Sequence, residues 1–201
     1  VLGPKDSVSY VQLAGGQVVP PEESFEVLVI GDESGFPFVE TVDIVLSGLI
    51  HKLDNGETVH LVLPNPDLIY PKSDHSFGIT GGSIALILEA ALHQRYPARS
   101  NLKFVRLGKP HAAIFIEALR RSGTRNMVMI GDQIATDIQG AHAFGIDSVL
   151  VGSGITNKNT ITTDDHLLPT YAIQSIMHGH QDRPTGQISI GERGPFEQQA
   201  S

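Results

Sequence analysis

There is no cysteine anywhere in the 201 residues. That excludes disulfides, thiolate metal sites and cysteine nucleophiles, and with them a disulfide-stapled secreted fold. No apolar run approaches the ~20 residues that a membrane helix needs, and the N-terminal residues lack the basic-then-apolar pattern of a signal peptide. Basic charge is also sparse: 14 Lys and Arg stand singly against 22 Asp and Glu, a formal net charge of −8. Such a field repels a polyanion, so a nucleic acid is not an expected partner; nor is a membrane, and the expected location is cytoplasmic. A small anion is a different matter, because one lysine beside a helix N-terminus outweighs distant surface charge inside a cleft.

What is present is enough apolar material, 40% of the residues, to bury the core of one large domain or two small ones. Short Val, Ile and Leu runs alternate with segments of helical period. Val27–Ile30 reads as a strand, after which Val42, Val45, Leu46, Leu49 and Ile50 fall on one helical face. Val59–Leu63 is the next strand, stopped by Pro64 and Pro66. A turn-rich passage leads to Gly81-Gly82-Ser83, which opens a helix with Ile84, Ile87, Leu88, Ala91 and Leu92 inward. LKFVRL is strand-like. KPHAAIFIEALRRSG then reads as a helix with Pro110 in its first turn, Ala112, Phe115, Ile116 and Leu119 inward, arginines in its last turn and Gly123 as its stop. Met127–Ile130 is a strand, Ile134, Ile138 and Ala141 line a helix, and Ser148–Val151 is a further strand closed by Gly152. Strand and helix in alternation, with unbroken apolar strands buried on both faces, predict an α/β fold with a parallel sheet. From about His178 the chain turns polar, so residues 178–201 read as a tail.

Ligands of open parallel sheets bind at the carboxyl ends of strands. Asp132 stands there, after Gly131, and Asp137 lies far enough into the next helix to point back at the same rim. Two carboxylates at a strand end suit a hard, oxygen-preferring cation such as Mg²⁺. Equally, Asp132 reads as an N-cap and Asp137 as a solvated helix residue. Lys109 shifts the balance: it precedes a helix N-terminus at the end of the strand before that of Asp132, one element away in a parallel sheet. A lysine there makes a place for a phosphate beside a metal. The histidines do not compete as a metal site. His178-Gly-His180 is a lone pair, His142 reads as packed or solvated, and neither a Gly-x-Ser-x-Gly elbow nor a phosphate-binding P-loop occurs. The glycine-rich GSGITNKNT after Val151 reads either as a plain loop or as one closing the metal side of the cleft.

LGKP, with VMIGDQIATDIQGAHAFGIDSVLVGSG downstream of it, resembles the third and fourth motifs of the haloacid dehalogenase superfamily of phosphatases. LPNPDLIYP and GGSIALILEAAL resemble the cap region and the return to the core in one of its subfamilies. That subfamily is typified by the nucleotide phosphatase of the N-acetylglucosamine operon and by 4-nitrophenyl phosphate phosphatases. The resemblance runs from Val1 to about Ser175. It implies a Rossmann-like core over 1–20 and 103–177, interrupted by an α/β cap over 21–102. It further implies Asp132 as a Mg²⁺ ligand, Asp137 supporting the metal shell, and Lys109 pairing with the phosphoryl group and the nucleophile. Asn65 and Asp67 match the Asn-Pro-Asp stretch of the cap side, and Gly81, Gly82 and Ser83 match a structural helix start. The implied activity is Mg²⁺-dependent hydrolysis of a small phosphate monoester, with a phosphorylated metabolite as partner and a homodimer formed through the cap.

The same resemblance asks for an Asp-x-Asp at the end of an N-terminal strand and a Ser or Thr after the next strand. No Asp-x-Asp occurs in the 201 residues. Aligned by spacing, Val1–Pro4 falls near the third core strand, which places both motifs upstream of Val1 in an active phosphatase. The alternative is a non-catalytic binding or scaffold protein of the same fold, since Mg²⁺ and Lys109 without a carboxylate nucleophile bind phosphate but do not split it.

Overall fold

The computed structural model describes residues 1–73, 76–152 and 168–176. The chain packs as two compact units, Val1–Ile114 and a second beginning at Phe115. The fold is α/β with parallel sheets.

In the first unit α1 (Lys5–Leu13) is followed by β1 (Val27–Val29), α2 (Phe38–Asp54), β2 (His60–Leu63) and the pair β3 (Ile69–Ser73) and β4 (Ser76–Ile79). Then come α3 (Gly81–Arg95), β5 (Val105–Arg106) and the start of α4 (Ala112–Ser122). Strands β1, β2 and β5 lie side by side in parallel, with Leu28 opposite Leu61 and Val62 opposite Val105. One face of this sheet carries Leu28, Leu61 and Leu63 into a core shared with Val42, Val45 and Leu49 of α2 and Ile84, Leu88 and Leu92 of α3. The 3.6-residue period of α2 and α3 therefore does what the sequence predicts: it stacks branched side chains against strands that are too short to be stable alone. Ile87, expected inward, is exposed, and Ala85 takes its place in the core.

The expectation of strands buried on both faces fails. Val27 and Val105 are 46% and 60% exposed, because helices cover one face of the sheet and the alternation of side chains sends every second residue to the other. A bridge from Leu2 to Ile30 and the pairing of β5 with β2 lie within the first unit.

The second unit holds most of α4, β6 (Val128–Gly131), a single π turn (Ile134–Ile138), α5 (Gln139–Phe144), β7 (Asp147–Val151) and β8 (Tyr171–Ile173). Strands β6, β7 and β8 are parallel in that order. Ile138 and Ala141 are fully buried, as their spacing predicts. Helix α4 begins at Ala112, not at Pro110, and Ile116 is 56% exposed. Of the residues expected inward, Phe115 is buried, because it finds a partner: its ring stacks on Phe144 at 5.5 Å between centroids. Gly123, at φ +68°, ends the helix as expected. The 178–201 segment, including His178 and His180, and most of GSGITNKNT lie outside the described residues. Among the described residues no helix is long and apolar enough to cross a membrane.

Helix α4 carries a pH-sensitive cluster. Glu117 accepts hydrogen bonds from Arg120 and Arg121, and these guanidiniums, Arg120 foremost, hold its carboxyl at about 2 against an ordinary 4.5. The folded pKa is depressed, so whatever the cluster contributes is present above the unfolded value and lost as pH falls through about 2. Carboxyl NMR of Glu117 is expected to titrate near that value and to move up toward 4.5 in Arg120→Gln and in high salt, since all three groups are exposed to solvent. A Glu117 midpoint unmoved by Arg120→Gln would show that the pairing does not set it.

Candidate functional site

Strand β6 is Val-Met-Ile ending in Gly131, in register with β7 through Gly131 opposite Leu150. Beyond Gly131 the loop into the next helix is held by a buried acid. Asp137 is 1% exposed, and its Oδ2 accepts the backbone N–H of Asp132 at 3.0 Å and that of Gln133 at 3.1 Å. The backbone N–H of Asp137 in turn donates to the Gln133 carbonyl at 2.9 Å. A carboxylate satisfying two amides in this way fixes the loop more firmly than a neutral acceptor does. Gly131 is required by the same arrangement, because a Cβ there would overlap the Asp137 carboxyl group. The helix starts with a π turn, a local widening that recurs at functional sites. Within it the Thr136 hydroxyl is buried and finds no hydrogen-bond partner among the described residues. Asp137 is thus buried and not solvated, and its Oδ2 orients the backbone that presents Asp132.

The first unit builds its own group. The Asn65 side-chain oxygen accepts the Asp67 N–H at 3.1 Å, a turn that closes the Asn-Pro-Asp loop on itself. The start of α3 is stitched to this loop. Thr80 donates its hydroxyl to the Asp67 carbonyl and its N–H to the Leu68 carbonyl, and the Ser83 hydroxyl reaches the Leu68 carbonyl at 2.6 Å. Gly82 lies so close to the carbonyls of Pro66 and Asp67 that no side chain fits. Gly108 is equally confined, with a Cβ position 2.5 Å from the Pro64 carbonyl oxygen and 3.5 Å from the Asn65 Cα. The residue before Lys109 therefore packs directly on the Asn65 loop, at the carboxyl ends of β2 and β5. The structural reading of Gly81, Gly82 and Ser83 accords with these contacts.

The structure brings Asn65 and Asp67 together with the Gly108–Lys109 turn, and Asp132 together with Asp137. Among the described residues Lys109 follows β5, which pairs with β2, and Asp132 follows β6, which pairs with β7. Sequence reasoning missed Thr80 and Gly108, whose roles depend on contacts far along the chain. It also passed over Asp32 and Glu33, although Val29-Ile30-Gly31-Asp32 repeats the strand-Gly-Asp pattern of Ile130-Gly131-Asp132. The hydrogen bond between their side chains, and then partial burial, raise the Glu33 carboxyl above its ordinary value. His142 is exposed on α5.

Among the described residues no group of three or more His, Cys, Asp or Glu side chains could hold a metal ion. The donors that are present are hard carboxylates. Mg²⁺ binds through one or two such groups while keeping waters and substrate oxygens, so Asp132 with Asp137 behind it fits that ion better than one needing a full protein cage.

The model of the HAD-hydrolase-like family matches residues 106–178, a span that contains Lys109, Asp132 and Asp137. A p-nitrophenyl phosphatase from Archaeoglobus fulgidus superposes with a TM-score of 0.60 at 26% identity, over 84% of this chain and 60% of that one. Over residues 106–178 the chain is similar to the HAD-hydrolase-like family. It is 32% identical over 93 residues to the D-glycerol 3-phosphate phosphatase of Mycobacterium tuberculosis, covering 42% of this chain and 26% of the relative. It is 28% identical over 156 residues to the dihydroxyacetone phosphatase of Corynebacterium glutamicum, covering 75% and 50%. The chain thus spans between about a quarter and a half of the length of the curated relatives it matches.

Proposed function

We propose that this chain is the phosphate- and cation-binding part of a phosphatase-type hydrolase that acts on small phosphate monoesters of sugars, nucleotides or aryl alcohols and uses Mg²⁺. The observation that carries the reading is Asp132 at a strand end, on a loop held by the buried carboxylate of Asp137. Phosphatase relatives support the reaction class. Asp132, oriented through Asp137, would hold Mg²⁺, and the ion when bound would polarise a phosphoryl oxygen. Lys109, on the turn after β5, would neutralise a phosphoryl oxygen as a point charge, and the rigid Asn65–Asp67 loop would border the substrate. A cytoplasmic location, a phosphorylated metabolite as partner and a homodimer belong to the same proposal.

No Asp-x-Asp occurs among these 201 residues. The test therefore uses the complete reading frame: phosphate release with Mg²⁺, expected to fall on the order of a thousandfold in Asp132→Asn, the several kcal/mol that a lost metal charge costs. No Mg²⁺-dependent release from the complete protein removes the proposal. The missing Asp-x-Asp favours one other reading, a non-catalytic phosphate-binding protein of this fold. An in-frame Asp-x-Asp encoded upstream of Val1 rules it out, whereas Mg²⁺ and phosphate binding without turnover supports it.

A further inference from the structure

Strand β5 is only two residues long, yet it carries the chain to the Gly108–Lys109 turn. Its ladder to β2 sets Val105 opposite Val62 and Arg106 opposite Leu63, and the Leu107 N–H extends it to the Leu63 carbonyl at 3.0 Å. So short a strand does not fix its own end. A second hold comes from α3. Glu89 Oε1 accepts the Phe104 N–H at 2.7 Å, and Glu89 Oε2 accepts a hydrogen bond from Arg106 Nη2 at 3.0 Å. Arg106 Nη1 in turn donates to the Phe104 carbonyl at 3.1 Å. These three bonds close a ring around the residues that enter β5. The Glu89 and Arg106 side chains are 14% and 26% exposed, so solvent screens the pair far less than it screens a surface pair.

We propose that Glu89 is a positioning residue: through Phe104 and Arg106 it sets where Lys109 stands relative to the Asn65–Asp67 loop. The inference rests on the phosphatase reading above, which assigns the phosphoryl group to Lys109. Helix α3 holds both sides of this relation. Its start is bonded to the loop through the Thr80 and Ser83 hydroxyls. Glu89 lies roughly 9 Å further along the same helix, a rigid rod at 1.5 Å per residue. There it grips the entry to β5, and Gly108 then seats the following turn on the Pro64 carbonyl and Asn65. The helix is thus a strut between the Asn65 loop and the lysine. The chemistry of the grip suits that role. An ion pair taken out of water adds little net stability over apolar side chains of the same size, but its two-point geometry fixes direction. Only a carboxylate accepts on both oxygens here; a glutamine in its place keeps one acceptor and turns an amino group toward Arg106.

The experiment uses the complete reading frame with Mg²⁺, in two backgrounds, unaltered and Lys109→Met. Affinity for inorganic phosphate is followed by phosphorus NMR, and kcat and KM are measured on a phosphate monoester. In the unaltered background Glu89→Ala is expected to weaken phosphate about tenfold and to lower kcat/KM about a hundredfold, the effect of a charge misplaced by an ångström. Glu89→Gln, which keeps an oxygen for the Phe104 N–H, is expected to lower kcat/KM about tenfold, and it carries the test if Glu89→Ala does not fold. In the Lys109→Met background the same substitutions are expected to change either quantity by less than about twofold, because the group they displace is gone. A structural role without a link to the lysine gives the same fold-loss in both backgrounds. That result, or no loss in the unaltered background, overturns the inference and leaves the phosphatase reading standing. If the unaltered complete protein neither binds nor releases phosphate, the phosphatase reading fails and the inference with it.

Discussion

Asp137→Ala is expected to cost the second unit roughly 3 kcal/mol, because it strands two backbone amides in a site where water has little access. Asp132 N–H and Gln133 N–H both depend on Asp137 Oδ2, and Asp137 is 1% exposed. Asp137→Asn retains an oxygen acceptor and loses the charge, so it should cost about half as much. Gly131→Ala attacks the same arrangement from the other side. Its Cβ displaces the Asp137 carboxyl and so breaks the same two hydrogen bonds, with a cost on the order of that of Asp137→Ala. Urea unfolding measures the stability, and amide hydrogen exchange locates it. The Asp132 and Gln133 amides should lose protection first in all three variants. If those amides exchange as slowly in Asp137→Ala as in the unaltered chain, the carboxylate does not hold the loop, and its proposed role in presenting Asp132 falls too.

The second large effect is expected at the first turn of α3, where two adjacent glycines should behave oppositely. A Cβ on Gly82 overlaps the backbone carbonyls of both Pro66 and Asp67. Backbone cannot rotate aside as a side chain can, so Gly82→Ala must push the Asn65–Asp67 loop away from the helix at a cost of about 3 kcal/mol. The shift also breaks the bonds from Thr80 and Ser83 to the loop carbonyls. Gly81 is different: its nearest neighbour is the Ile30 Cγ2 methyl at 3.2 Å, and the next is a carbonyl at 3.6 Å. A displacement of a few tenths of an ångström accommodates alanine there. The ~1 kcal/mol by which alanine favours a helix over glycine then leaves Gly81→Ala near neutral or slightly stabilising. Thermal unfolding of the two variants decides the matter; equal destabilisation would show that the loop is not packed against α3 as described.

Much of this protein was legible from residue order. Helices α2 and α3 follow from apolar side chains repeated every three or four residues, a pattern that specifies both the helix and its buried face. Strands β2, β6 and β7 follow from short runs of branched residues, and Gly131-Asp132 marks a strand end in any parallel sheet. Other elements left no such mark. Helix α1 buries none of its residues, so no period announces it. The antiparallel β3 and β4 carry Pro71 opposite Phe77, and a proline in a short run argues against a strand until a partner is seen.

Chemistry divides along the same line. Asp132, Asp137 and Lys109 were singled out as candidates by residue type and spacing, which a one-dimensional sequence conveys in full. That Asp137 turns its carboxylate inward onto two amides and that Gly108 seats the Lys109 turn on the Asn65 loop were decided by how the elements pack. Such contacts are set by which surfaces meet when elements pack, and neighbouring residues carry no record of that meeting.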